Sequence, residues 1–98
     1  MGRKVILSPR AIEDLEEIVR YIAQDSPDRA CVFGDALVAR TKQLADFPEA
    51  GRVVPAYHDP DAREIIHRSY RIIYRLSRDG AAVEVSRFWH AARGTPEP

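Results

Sequence analysis

The chain has 98 residues, with 15 basic and 15 acidic side chains balancing to a formal charge of zero, and one cysteine, Cys31. That length fits a single domain, residues 1–98, whose core needs no staple. The lone cysteine closes no internal disulfide, and zero net charge gives no general field toward nucleic acid or an anionic membrane.

The first element in chain order is a short strand over residues 3–7, ended by Ser8-Pro9. Serine at an N-cap with proline at the first helical position is a strong helix start. Ile12, Leu15, Ile18, Val19 and Ile22 then recur at helical spacing, with Glu13, Asp14, Glu16, Glu17 and Arg20 between them. This amphipathic helix ends near Asp25. Ser26-Pro27 repeats the start signal, and Phe33, Ala36, Leu37, Leu44 and Phe47 mark one side of a second helix that stops before Pro48. Gly34 within it costs about 1 kcal/mol relative to alanine, so it marks close approach to the first helix. Residues 49–62 carry Gly51, Pro55, Asp59, Pro60 and Asp61 without periodicity and read as a loop, of a length often tied to function.

Two apolar runs, residues 63–67 and 70–76, are separated by Arg68-Ser69 and read as a hairpin; Asp79-Gly80 predicts a type I′ turn into a last strand, residues 83–89. A period of two places Tyr70, Ile72, Tyr74 and Leu76 on one face and Arg71, Ile73 and Arg75 on the other. On the last strand it groups Val83, Val85 and Arg87 against Glu84, Ser86 and Phe88. Whether Arg87 joins Arg71 and Arg75 stays open. Residues 94–98 are expected to fray. The fold expectation is α+β, a β-α-α-β-β-β order in which a helix hairpin, residues 8–47, packs on a small antiparallel sheet.

The three apolar residues after Arg3-Lys4 are too few for a signal peptide, and no apolar run approaches membrane-spanning length, so a soluble cytoplasmic protein is expected. The glycines are scattered rather than gathered in a phosphate loop, and neither His-Glu-x-x-His nor paired cysteines are present. No cofactor and no metal are expected. His58, His67 and His90 have no spacing that forces them together, and Cys31 reads as a small hydrophobe rather than a nucleophile.

Charge is uneven along the chain. Residues 3–49 carry seven bases and nine acids; residues 52–98 carry eight bases, all arginine, and six acids. Arginine suits planar, bidentate contacts to carboxylate or phosphate. Cleavage of a phosphodiester through its own 2′-hydroxyl would need a base, for which Glu49 or His90 is available, and cations, for which Arg71, Arg75 and Arg87 are available. A packing or partner-binding role accounts for the same residues without catalysis.

The order of elements, together with Pro48-x-x-Gly51-Arg52, Arg63-Glu64, Tyr70-Arg71-Ile72-Ile73-Tyr74-Arg75 and Trp89-His90-Ala91-Ala92-Arg93, resembles the RelE/ParE superfamily of bacterial type II toxins over nearly the whole chain. The resemblance implies a cytoplasmic toxin neutralised by a cognate antitoxin in a hetero-oligomer, without a membrane partner. Its two branches cleave mRNA in the ribosome or poison DNA gyrase. The nuclease branch is usually strongly basic, with lysines or a tyrosine near the C-terminus. This chain has no lysine after Lys42 and no tyrosine after Tyr74, and its His90-x-x-Arg93 tail looks more like the gyrase-directed branch. The resemblance therefore implies a gyrase poison, not an enzyme, with target-binding residues Trp89, His90 and Arg93 and antitoxin-binding residues Arg71 and Arg75. The alternatives are a metal-independent endoribonuclease using Arg71, Arg87 and His90 with the ribosome and mRNA as partners, or a non-toxic antitoxin-binding relative.

Overall fold

The computed structural model describes residues 2–98. Its elements are β1 (Lys4–Leu7), α1 (Pro9–Ala23), α2 (Pro27–Lys42), β2 (Arg52–Val53), β3 (Ala62–His67), β4 (Tyr70–Leu76) and β5 (Ala82–His90). Both Ser-Pro starts work as the sequence implies. The Ser8 side chain accepts a hydrogen bond from the Ala11 amide at 3.1 Å and Ser26 accepts one from Arg29 at 3.2 Å, so each helix begins with an otherwise orphaned donor satisfied. Gly34 meets α1 as expected: a β-carbon there would lie 2.9 Å from Val19 Cγ2.

The two helices lie on one face of a five-stranded sheet of order β1-β5-β4-β3-β2, an α+β architecture. Three features differ from the sequence expectation. The sheet is mixed, because β1 pairs parallel to β5 across more than seventy intervening residues, a long-range choice that local periodicity does not encode. The stretch read as a loop contributes β2, antiparallel to β3, followed by a 3₁₀ turn at Pro55–Tyr57 and a left-handed His58. The Asp79-Gly80 turn is not type I′, which needs positive φ at both residues. Gly80 alone is left-handed, while the Asp79 carboxylate accepts from Ser77 Oγ and the Ala81 amide to shape a longer loop.

The core between the helices and the sheet joins Ala11, Ile18, Leu37 and Leu44 to Ile65, Ile72, Val83, Val85 and Phe88. Phe47 is not part of it. The second helix passes into a 3₁₀ turn at Gln43–Ala45, the helical period is lost, and Phe47 is left 67 % exposed.

The Pro48-x-x-Gly51-Arg52 motif anchors the crossing segment to the sheet. The buried Tyr74 hydroxyl donates to the Pro48 carbonyl at 2.7 Å and accepts from the Gly51 amide at 3.0 Å. Gly51 is needed for close approach, since a β-carbon would sit 2.4 Å from the Glu64 carbonyl oxygen. Among the described residues no helix is long and apolar enough to cross a membrane.

Candidate functional site

The face of the sheet turned away from the helices carries the arginines, and a β-bulge decides which ones. Ile73 pairs with Arg87 but Tyr74 pairs with Val85, so Ser86 is the extra residue. Its hydroxyl donates to the Ile73 carbonyl at 3.0 Å, and its own carbonyl accepts from Ser8 Oγ at 3.1 Å. Such an insertion exchanges the two faces of everything beyond it. Val83 and Val85 face the helices before the bulge; after it Phe88 does, and Arg87 lies opposite. Simple period-two grouping of Arg87 with Val83 and Val85 is therefore wrong, and Arg87 joins Arg71 and Arg75 on the open face.

Each of these guanidiniums pairs with an acid. Arg71, buried at 7 % exposure, gives its Nε to Glu64 Oε1 at 2.5 Å, and Arg52 takes the other oxygen of the buried Glu64 at 2.7 Å. Arg75 pairs with Asp59, whose carboxyl is held below its ordinary range by the Asp61 amide first and by Arg75 next. Arg87 forms a bidentate pair with Asp14, at 2.7 and 3.0 Å. Asp14 also accepts the Phe88 amide at 3.1 Å, because β1 stops at Leu7 and leaves the edge of β5 beyond Val85 without a strand partner. The Arg87–Asp14 hydrogen bond is the main reason the Arg87 guanidinium holds its proton more firmly than usual.

Beyond Arg87 the strand ends in a stack. The Arg87 guanidinium carbon lies 4.7 Å and that of Arg93 3.9 Å from the centre of the Trp89 ring, both within cation–π range. Tyr57 sits beside this group, its hydroxyl pushed up by burial against the opposing pull of Arg71 and Arg87.

Against known proteins, the family described as "ParE toxin of type II toxin-antitoxin system, parDE" matches residues 5–94. The chain belongs to this toxin family. Toxin RelE1 of Caulobacter vibrioides is 33 % identical over 90 residues, covering 88 % of this chain and 90 % of the relative. Two solved structures share the fold: a chain of the chromosomal ParDE TA system from P. aeruginosa (TM-score 0.73, 20 % identity, 91 % of this chain and 96 % of that one) and a chain of the toxin–antitoxin complex RelBE2 from Mycobacterium tuberculosis (TM-score 0.69, 20 % identity, 92 % and 99 %).

Within this RelE/ParE toxin the residues singled out from sequence are divided between two faces. Trp89 lies opposite Arg71 on the open face. His90 turns the other way and meets Tyr70 edge-on at 5.1 Å between ring centres. Its Nδ1 accepts the Ala92 amide at 3.1 Å, which leaves Nε2 as the protonated nitrogen of the neutral ring. Arg93 bridges the faces: it stacks on Trp89 and also lines a 310 Å³ cleft with His90, Tyr70, Tyr21 and Glu17. Glu49 belongs to neither group, lying with Arg3, Asp46 and Phe47 around another depression.

Asp14 and Glu64, the acids that set the charge of the open face, were not picked out from sequence. A signal for Asp14 exists. With Ala11 and Ile18 it occupies the buried stripe of α1, an acid at an apolar position. No group of three or more His, Cys, Asp and Glu side chains placed to hold a metal occurs among the described residues.

Proposed function

We propose that this toxin arrests growth by binding a protein target, DNA gyrase, and that a cognate antitoxin neutralises it. The observation that carries the reading is the internal pairing of Arg71, Arg75 and Arg87 with Glu64, Asp59 and Asp14. Three of the face's arginines are thus already matched by acids, which reduces the charge they can offer a phosphate backbone, where affinity depends on releasing condensed counterions. The tail of the chain supplies what protein interfaces favour instead, an aromatic and an arginine in contact beside a histidine cleft.

The ribonuclease reading draws support from Arg71 and Arg87 lying on one face. Against it, His90 packs on Tyr70 on the opposite side and the two arginines are committed to acids. Purified toxin in a supercoiling assay and in a ribosome-dependent cleavage assay separates the two. The proposal expects gyrase inhibition and intact mRNA, and mRNA cut within ribosomes would reverse it. His90→Ala with Arg93→Ala should abolish growth arrest while thermal stability and antitoxin binding persist; a stable, fully toxic double variant would remove the tail from the site. A wild-type chain without effect on either target would be a non-toxic relative.

For the antitoxin, a groove of 730 Å³ between α2 and the β3–β4 hairpin offers Ile22, Val32, Phe33 and Ala36, with Arg29 and Arg68 outnumbering Asp28 among its charged residues. Val32 is 70 % exposed. An amphipathic acidic segment fits this groove. Arg75, exposed, is free to exchange Asp59 for an antitoxin acid, whereas Arg71 is covered. Co-expression with the neighbouring gene should relieve arrest and yield a co-purifying complex; failure of both would sink the antitoxin assignment.

A further inference from the structure

Residues 94–98, expected to fray, lie across the open face. At Gly94 the chain turns back with φ 78° and ψ −131°, a conformation that side-chain-bearing residues avoid. No atom lies within 4 Å of where a β-carbon would be, so glycine is required there for the bend and not for space. The returning segment is held by two of its backbone carbonyls and the Thr95 hydroxyl. Arg71 donates from one terminal nitrogen to the Gly94 carbonyl and, at 2.9 Å, to Thr95 Oγ1. The Tyr57 hydroxyl donates to the Pro96 carbonyl at 2.7 Å, and Pro96 itself is buried. Glu97 follows, the one acid lining a cavity of 350 Å³ whose bases are Arg10, Arg75 and Arg87.

Two donors aimed at peptide carbonyls, a seat for a proline and a basic cavity beyond it read an extended chain more than they read any one sequence. Proline costs little to hold extended, because its φ is already fixed. Arg71 is fit to serve as the fixed donor, since the buried Glu64 holds its Nε and sets the direction of the fork. The strap is attached by few bonds and has no strand ladder, the kind of segment that opens at low cost.

We propose that the open face of the sheet is a peptide-docking channel, filled in cis by residues 94–98 and available in trans to an extended partner segment that carries a proline followed by an acid. A partner must displace the strap, which lowers its apparent affinity by the fraction of time the channel is free. This assignment is independent of the gyrase reading and is tested without any growth assay.

The full-length Gly94→Val variant should eject the strap, because a β-branched residue resists that bend. The probe is the synthetic peptide Gly-Thr-Pro-Glu-Pro, and the reporter is Trp89, the single tryptophan, seated on the same face. Saturable binding to Gly94→Val is expected, about tenfold weaker binding to wild type if the strap is seated about nine-tenths of the time, and a several-fold loss on adding Tyr57→Phe. Equal affinity for wild type and Gly94→Val, or no binding to Gly94→Val, would overturn the proposal. So would an oligouridine RNA that binds Gly94→Val and is not displaced by the peptide, which would make the face a phosphate site. Should Gly94→Val fail to fold, heteronuclear NOE values of the wild-type chain decide: Thr95 and Glu97 as rigid as β5 support the strap, and values of a free tail refute it.

Discussion

Under the helix hairpin, Ile72, Val83, Val85 and Phe88 meet Ala11, Ile18 and Leu37 in a contact made of hydrocarbon and one ring; on the reverse of the same strands, Glu64 and Arg71 are buried as an ion pair with a polar strap above them. The first side is held by surface removed from water, a force without direction that accepts any close-fitting apolar shape. The second is held by bonds that must be aimed. A buried ion pair adds little net stability over a well-packed apolar pair, yet it is damaging to break, so it is better evidence of specified geometry than of strength. Here the specified geometry is that of Arg71, the residue that reaches the strap.

The contrast is testable from both sides. Glu64→Ala should have the largest effect, a loss of about 3–5 kcal/mol in urea unfolding, because it leaves the buried Arg71 without its partner. Replacing both, Glu64→Leu with Arg71→Met, should recover most of that loss; a double variant as unstable as the single one would mean the pair itself contributes net stability. On the helix side, Leu37→Ala should cost about 3 kcal/mol from lost transfer energy and the cavity left behind, with no partner able to rescue it. Tyr74→Phe, which removes one hydroxyl from both the Pro48 carbonyl and the Gly51 amide, should cost about 1–2 kcal/mol and loosen β2 before the helices, visible as faster exchange of the Val54 amide, which donates to the Ala62 carbonyl at 2.9 Å.

The smallest expected effect is a pH slope. His67 is pushed below its ordinary value of 6.5 by burial, then by Arg40 and Arg68. The unfolded chain therefore binds its proton more readily than the folded one, and this site's share of stability is complete above 6.5 and declines as pH falls below it. Urea midpoints followed from about pH 7 to 5 should drop more steeply for wild type than for His67→Gln. Parallel curves would show that the groove beside Phe33 exerts no such pressure.

How much of this was legible depended on whether the deciding interaction was local. The Ser8 and Ser26 caps, the Gly34 contact and the alternation of Ile72 with Arg71 are set within a few residues, and they read directly from the chain. The bulge was not legible, because nothing in Val83-Glu84-Val85-Ser86-Arg87-Phe88 says which residue is skipped; Ser8, more than seventy positions away, helps to fix it. The same holds for the candidate site. Arg71, Arg87 and Trp89 were recognisable by type, but the acids that balance the arginines come from α1 and β3, and the Gly94 bend hides in a segment whose composition reads as a frayed end. The family resemblance rested on the element order and left those pairings unaddressed.

The extra residue at Ser86 also divides β5 into two halves out of phase with each other. The half before it is scaffold, locked to β1 and the core; the half after it displays Arg87 and Trp89. Drawing Ser86 into the ladder at unchanged chain length would remove the bulge and rotate the whole second half at once, carrying Arg87 toward the helices and Phe88 to the outside, whereas deleting Ser86 would leave Arg87 opposite Ile73 and both side chains on their present faces. Substitutions can retune the displayed surface one side chain at a time, whereas losing the bulge without losing a residue exchanges display for core.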